Sequence, residues 1–204
     1  LTKETQQMKS TNTNEYAQYL IDHQLSLKSQ ILQLPYKLHL NFLNLRKTLD
    51  VGCGAGRNLK NLSPESVGVD HNAIMIKSCC DRGMNAHTVE EWQTKKDPHL
   101  GTFDSLLFSH IAEHMTSSEF EGMLRSYLPL LKKQGRIVVI CPQESGYQSD
   151  QTHIEFIDFE KVKTIFKNLN IETKRQYSYP FARSFGKFFR HNEFVNIGFL
   201  RPSP

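Results

Sequence analysis

The stretch "LLFSHIAEHMTS" at 106–117 carries His110, Glu113 and His114 in the order H-x-x-E-H. On a helix the two histidines would share one face with the glutamate beside them, able to hold zinc and a general base for hydrolysis. A second chemical string lies upstream. "TLDVGCGAGRN" at 48–58 sets Gly52, Gly54 and Gly56 at alternate positions directly after an apolar run. Without Cβ atoms, a strand-to-helix turn lets backbone N–H groups approach a ligand closely. Asp70, closing "VGVD", offers a carboxylate that can accept from both hydroxyls of a ribose.

The elements that carry these residues separate the two chemistries. Tyr16, Tyr19, Leu20, Leu27 and Ile31 recur at helical spacing from Asn14 to about Leu34, and Pro35 suits the first turn of another helix through Leu45. Strands then alternate with helices. The strands are "KTLDVG", "SVGVD", "NAHTV", "FDSLLFS" and "RIVVIC"; the helices are "GRNLKNL", "NAIMIKSCCDRG", "EEWQTKK", "SSEFEGMLRSYLPLLKKQG" and "DFEKVKTIFKNLN". Such alternation predicts an α/β fold with a doubly wound, mostly parallel sheet. "IETKRQYSY" and "EFVNIGFL" follow, joined only by the loop 179–192, so they pair antiparallel.

In this frame His110 ends a strand and does not share a helical face with His114. The next histidines, His153 and His191, carry no metal spacing, so no metal is expected. The four cysteines at 53, 79, 80 and 141 form no C-x-x-C pair, which favours reduced thiols. A formal charge of +4 does not imply a dedicated nucleic-acid binder. "IVVIC" is too short to span a bilayer, and "LTKETQQMKSTNTNEY" lacks a basic-then-apolar leader pattern. A soluble, cytoplasmic protein with no membrane partner is expected.

"LDVGCGAGRN" followed by "VGVD" resembles the first two motifs of class I S-adenosylmethionine-dependent methyltransferases. The dinucleotide pattern G-x-G-x-x-G would need a third glycine where Arg57 stands. "FDSLLFSHIAEHM" is similar to the superfamily's fourth-strand motif and "LKKQGRIVVICP" to its fifth strand; "DQTHIEFIDFEKV" adds a likeness to the ubiquinone-methyltransferase and tellurite-resistance branch. The resemblance implies a Rossmann-like, seven-stranded sheet whose antiparallel last strand is inserted beside the fifth. It also implies a catalytic domain over 46–204, preceded by a helical lid or extension over 1–45.

The resemblance implies site roles as well. Gly52, Cys53 and Gly54 would contact the methionine part of S-adenosylmethionine, with Asp50 ordering the loop. Asp70 would hold the ribose and His71 the adenine edge, while Val89 packs on the ring and Glu90 meets its amino group. Ser109 and His110 would lie beside the sulfonium. His110, His153 and Glu144 are candidate bases. The loop "PFARSFGKFFRHN" offers Arg183 or Arg190 to anchor an acceptor carboxylate or phosphate, with Tyr147 or His153 near the methyl. The expected activity is methyl transfer to a small, anionic or aromatic acceptor by a monomer or homodimer, releasing S-adenosylhomocysteine. Two other readings stay open. A nucleic-acid methyltransferase would carry an Asn/Asp-Pro-Pro-aromatic tetrad where this chain has "SHIA", and a non-catalytic module would bind the cofactor without turnover.

Overall fold

The computed structural model describes residues 32–201. The expected helix from Asn14 to Leu34, with Tyr16 and Tyr19, lies almost wholly outside them. The chain divides into two compact units with the boundary between Lys95 and Lys96.

The first unit opens with α1 (Leu34–Leu43), which has Pro35 in its first turn as expected. It ends where Asn44 turns left-handed at φ 47°, donating its N–H to the Asn41 carbonyl. Three parallel strands follow: β1 (Thr48–Val51), β2 (Val67–Asp70) and β3 (Ala86–Thr88), in the order β3-β2-β1. Every residue of β1 and β2 is buried, as suits parallel strands covered on both faces, and the burial extends to the polar Thr48, Asp50 and Asp70. The register Val51↔Val69 and Asp70↔Thr88 brings the carboxyl ends of the strands to one edge. α2 (Ala73–Asp81) starts on Asn72, whose Oδ1 accepts from the Ile74 and Met75 amides. α3 (Val89–Lys95) is capped by Thr88: its Oγ1 accepts from Glu91 N, and Glu91 Oε2 accepts from Thr88 N.

One expected element does not form. "GRNLKNL" yields only a short 3-10 turn, Leu59–Asn61, and no α-helix. Gly56 is left-handed at φ 78°, Leu62 is already extended, and Pro64 biases its predecessor away from the helical region. Too few residues lie between those points to repay helix nucleation.

The second unit holds β4 (Phe103–Ser109), β5 (Leu131–Pro142), β6 (Ile171–Tyr179) and β7 (Glu193–Leu200), in the order β4-β5-β7-β6. β4 and β5 are parallel, while β7 runs antiparallel to both of its neighbours. β6 therefore points the same way as β4 and β5. The seven strands make the expected mixed sheet with an antiparallel last strand.

α4 (Ser117–Tyr127) begins on a reciprocal Thr116–Glu119 cap and stops well before Gly135, where the periodicity carried it. Pro129 is the reason: it has no N–H to donate, so the chain tightens into a 3-10 turn and enters β5 at Leu131. A short helix α5 (Glu144–Gln148), not foreseen, follows β5. α6 (Phe159–Asn168) is capped by Asp158. Phe103, Phe108, Phe120, Ile137, Phe166 and Phe194 fill the interior. The pairs Ser109↔Ile140, Pro142↔Glu193 and Tyr179↔Glu193 gather four strand ends at one edge of this unit. Among the described residues no helix is long and apolar enough to cross a membrane.

Candidate active site

In the first unit the strand-end edge collects the glycine loop, Asp70 with His71, and Val89 with Glu90. Gly52, Gly54 and Gly56 adopt φ of 73°, 52° and 78°, a region L-residues avoid. The loop is pinned to β2. Gly52 N and Cys53 N both donate to the Val69 carbonyl, at 2.8 and 3.1 Å, and Gly54 N donates to Asp70 Oδ2 at 2.9 Å. Asp70 Oδ1 accepts from Asn72 N at 2.9 Å, with His71 Nδ1 3.3 Å away. Each carboxylate oxygen thus keeps a lone pair for a further donor. Among the described residues a Cβ on Gly54 would meet only Met75 Sδ, at 3.7 Å, so the loop is open at that position, whereas one on Gly56 would strike Met84 at 2.8 Å. His71 and Glu90 are exposed and Val89 is half-buried.

Asp50 lies buried beneath this loop at 1% exposure, and neither of its oxygens has a partner in hydrogen-bond geometry among the described residues. Burial pushes its carboxyl up to about 7, with Arg57 pulling it back and Asp70 pushing it further. An orphaned buried carboxylate behind an open glycine cradle suits a ligand that carries positive charge. Sequence reasoning gave Asp50 the task of ordering the loop; the observed contacts assign that task to Asp70. Cys53 is buried against Cys79, whose Sγ lies 3.4 Å from the Gly54 carbonyl.

In the second unit His110 follows Ser109 at the end of β4 with φ 56°, and its N–H donates to the Ile140 carbonyl at 2.9 Å. It does not lie on a helix, as expected. Its Nε2 is 2.7 Å from Glu193 Oε1, and its Nδ1 is 3.2 Å from Glu113 Oε1. Glu113 is fully buried, and its oxygens lack a partner in hydrogen-bond geometry among the described residues. Burial raises its pKa, but the neighbouring His110 and His114 imidazoles outweigh that and hold it below the usual carboxylate value. Burial in turn lowers the pKa of His114.

His153 sits against the same carboxylate, with Nε2 4.0 Å from Glu113 Oε1 and its ring 4.8 Å from that of His114. Tyr147 stacks on His153 at 5.3 Å and accepts its Nδ1–H at the backbone carbonyl, 2.7 Å away. Tyr147 and His153 are therefore brought together. Spacing alone had offered no third partner to Glu113 and His114, and the fold supplies one. Glu113 entered only through the H-x-x-E-H string that was set aside, and Glu193 was not singled out; it carries no local signal, because its partner His110 lies 83 positions away.

Glu144 and Arg183 also meet, as an ion pair. Arg183 Nη1 donates to Glu144 Oε2 at 2.8 Å and Nη2 to Oε1, while the guanidinium lies 4.8 Å over the Phe194 ring. The bond to Arg183 holds Glu144 below its usual pKa, which makes it a weak base. Arg190 is exposed. Beneath this loop Gln143 is fully buried, donating to Ser178 Oγ and the Glu193 carbonyl and accepting from Asn192 Nδ2. A Cβ on Gly186 would fall 1.9 Å from Gln143 Oε1 and 2.6 Å from its Cβ. Gly186→Ala is expected to cost about 1–3 kcal/mol, read as a lowered denaturation midpoint. Gly122→Ala, in α4 with nothing within 4 Å of the new Cβ, should instead stabilise by about 0.5–1 kcal/mol.

Residues 48–135 match a family described as a methyltransferase domain. The matched stretch includes the glycine loop, Asp50, Asp70, His110 and Glu113. No curated protein matches it in sequence. A S-adenosylmethionine-dependent methyltransferase from Archaeoglobus fulgidus is similar in structure, with a TM-score of 0.63, 20% identity, and 88% of this chain and 98% of that one covered. A TehB-like methyltransferase from Corynebacterium glutamicum superposes with a TM-score of 0.66 at 14% identity, over 93% and 100% of the two chains. The N-methyltransferase NodS from Bradyrhizobium japonicum, in complex with S-adenosylhomocysteine, gives 0.63 at 14% identity over 89% and 96%. The chain thus shares the fold of these three proteins.

Proposed function

We propose that the chain transfers the methyl group of S-adenosylmethionine to a small-molecule acceptor bearing an anionic or aromatic group. The observation that carries this reading is the open glycine loop tied to Asp70 over the orphaned Asp50 carboxylate. The donor set suits the cofactor: acceptor lone pairs on Asp70 for ribose hydroxyls, backbone N–H groups for a carboxylate, and buried negative charge for a cationic ligand. When bound, S-adenosylmethionine supplies an already activated methyl, so the protein need form no covalent intermediate.

The work left to the chain is alignment, exclusion of water and proton removal. His110 suits the proton step. Its ring is held between two carboxylates, Nε2 2.7 Å from Glu193 Oε1 and Nδ1 3.2 Å from Glu113 Oε1, which would stabilise the imidazolium formed when it takes a proton. Glu144, held ionised by Arg183, is the poorer base. An acidic acceptor would exchange with Glu144 for Arg183, and Arg190 offers a second cation. The test is S-adenosylhomocysteine release from purified protein given the cofactor and a panel of phenols, amines and carboxylic acids. Acceptor-dependent release supports the reading. Failure to bind the cofactor overturns it, and tight binding without release for any acceptor points to a non-catalytic binding module.

A further inference from the structure

We infer that Glu113, His114 and His153 form a binding site for one divalent transition-metal ion. Their ligand-type atoms all lie within 4.8 Å of one another, on the turn after β4 and the end of the loop after β5. The hydrogen bonding of the two imidazoles points the same way. His153 Nδ1 is 2.7 Å from the Tyr147 carbonyl, which can only accept, so Nδ1 carries the proton and Nε2 presents its lone pair. His114 Nδ1 faces the Thr152 carbonyl at 3.3 Å and Thr152 Oγ1 at 3.1 Å. That hydroxyl gives its own proton to Asp150 Oδ1 at 2.7 Å, so it too is an acceptor, and His114 Nε2 is left unprotonated. An imidazole ligand whose other nitrogen donates to a backbone carbonyl is the usual support for a bound metal.

The third member makes the case independent of spacing. The Glu113 carboxylate is fully buried; His110 Nδ1 lies 3.2 Å from Oε1, but neither oxygen has a partner in hydrogen-bond geometry among the described residues. His153 Nε2 therefore turns an unprotonated nitrogen toward the carboxylate at 4.0 Å, with a His114 nitrogen within 4.8 Å of both, an arrangement that a cation relieves. Two nitrogens and one oxygen suit zinc, cobalt or iron(II) and disfavour magnesium or calcium. Metal–ligand bonds of about 2.0–2.2 Å need donor atoms closer than about 4.4 Å, so the widest separation must shrink slightly, within reach of side-chain rotation. The ion would clamp the turn to the loop at a point where Ile154 N already donates to the Glu113 carbonyl at 2.7 Å. With three protein ligands it would keep positions for water or an acceptor oxygen.

The test is made without cofactor, so that its outcome is distinct from that of the methyl-transfer assay. The full chain, stripped with chelator, is titrated with zinc by calorimetry and with cobalt(II) by visible absorption. One equivalent is expected to bind, with ligand-field bands of low-symmetry nitrogen and oxygen coordination. Glu113→Gln and His153→Ala should each weaken zinc by at least about tenfold, while His99→Ala should not. Circular dichroism checks that each variant is folded; where one is not, the other variant and the wild-type cobalt spectrum decide. No stoichiometric binding overturns the inference, as does equal affinity in folded Glu113→Gln and His153→Ala. A histidine signal showing both ring nitrogens of His153 protonated in zinc-treated protein also overturns it, because a proton then fills the place of the ion.

Discussion

Asp70→Ala is expected to weaken S-adenosylmethionine binding by at least about tenfold, and by about a hundredfold or more if both ribose hydroxyls are lost as donors. Hydrogen bonds to a charged group contribute about 1.5–3 kcal/mol each, and tenfold corresponds to about 1.4 kcal/mol. The structure adds a second route to the same loss. Asp70 Oδ2 holds Gly54 N, so the variant frees the loop that would meet the methionine part of the ligand. Asp70→Asn separates the routes: it keeps one oxygen acceptor and should fall between wild type and alanine. Calorimetry with the cofactor and with S-adenosylhomocysteine reads both. Unchanged affinity in a folded Asp70→Ala protein would remove Asp70 from the site.

The second large effect is on stability and falls on Asp50. Its carboxyl is raised from 3.8 to about 7, first by burial. A carboxyl with a raised folded-state pKa keeps its proton in the native protein while the unfolded chain has already lost it. Its contribution to stability is fully present below about pH 4, declines between about pH 4 and 7, and is gone above that. A shift of about three units corresponds to about 4 kcal/mol. Asp50→Asn, neutral at every pH, should therefore gain on wild type by up to about that amount as the ligand-free proteins are taken from pH 4 to pH 8. Urea denaturation across this range is the measurement, and a gap that stays constant with pH would refute it. Cofactor added to wild type should recover part of the loss, because a cationic ligand favours the ionised carboxylate.

Much of the frame was legible in the chain because it is locally coded. Apolar runs in β1, β2 and β4 mark strands buried on both faces, and Asn72, Thr116 and Asp158 stand where helix starts need a side-chain acceptor. The failures were local conflicts in which a helical apolar pattern met a stronger backbone constraint. Pro129 stopped α4, and left-handed Gly56 with Pro64 left only a 3-10 turn after the glycine loop.

By itself the sequence determined the strand-loop-strand string from Asp50 to Asp70, because a turn that needs positive φ selects glycine and a strand end fixes where the next carboxylate lies. Only the tertiary structure decided which distant groups share a charge. Glu193 reaches His110 across 83 positions through the antiparallel return of β7, and Gln143 is locked under Gly186 by the same hairpin. It also turned His110 away from the helical face that the H-x-x-E-H order suggests, and gave His114 and Glu113 a different partner in His153. Spacing along the chain records only neighbours on one element. Contacts between strand ends and the loops beyond them depend on sheet order and register, which no local pattern encodes.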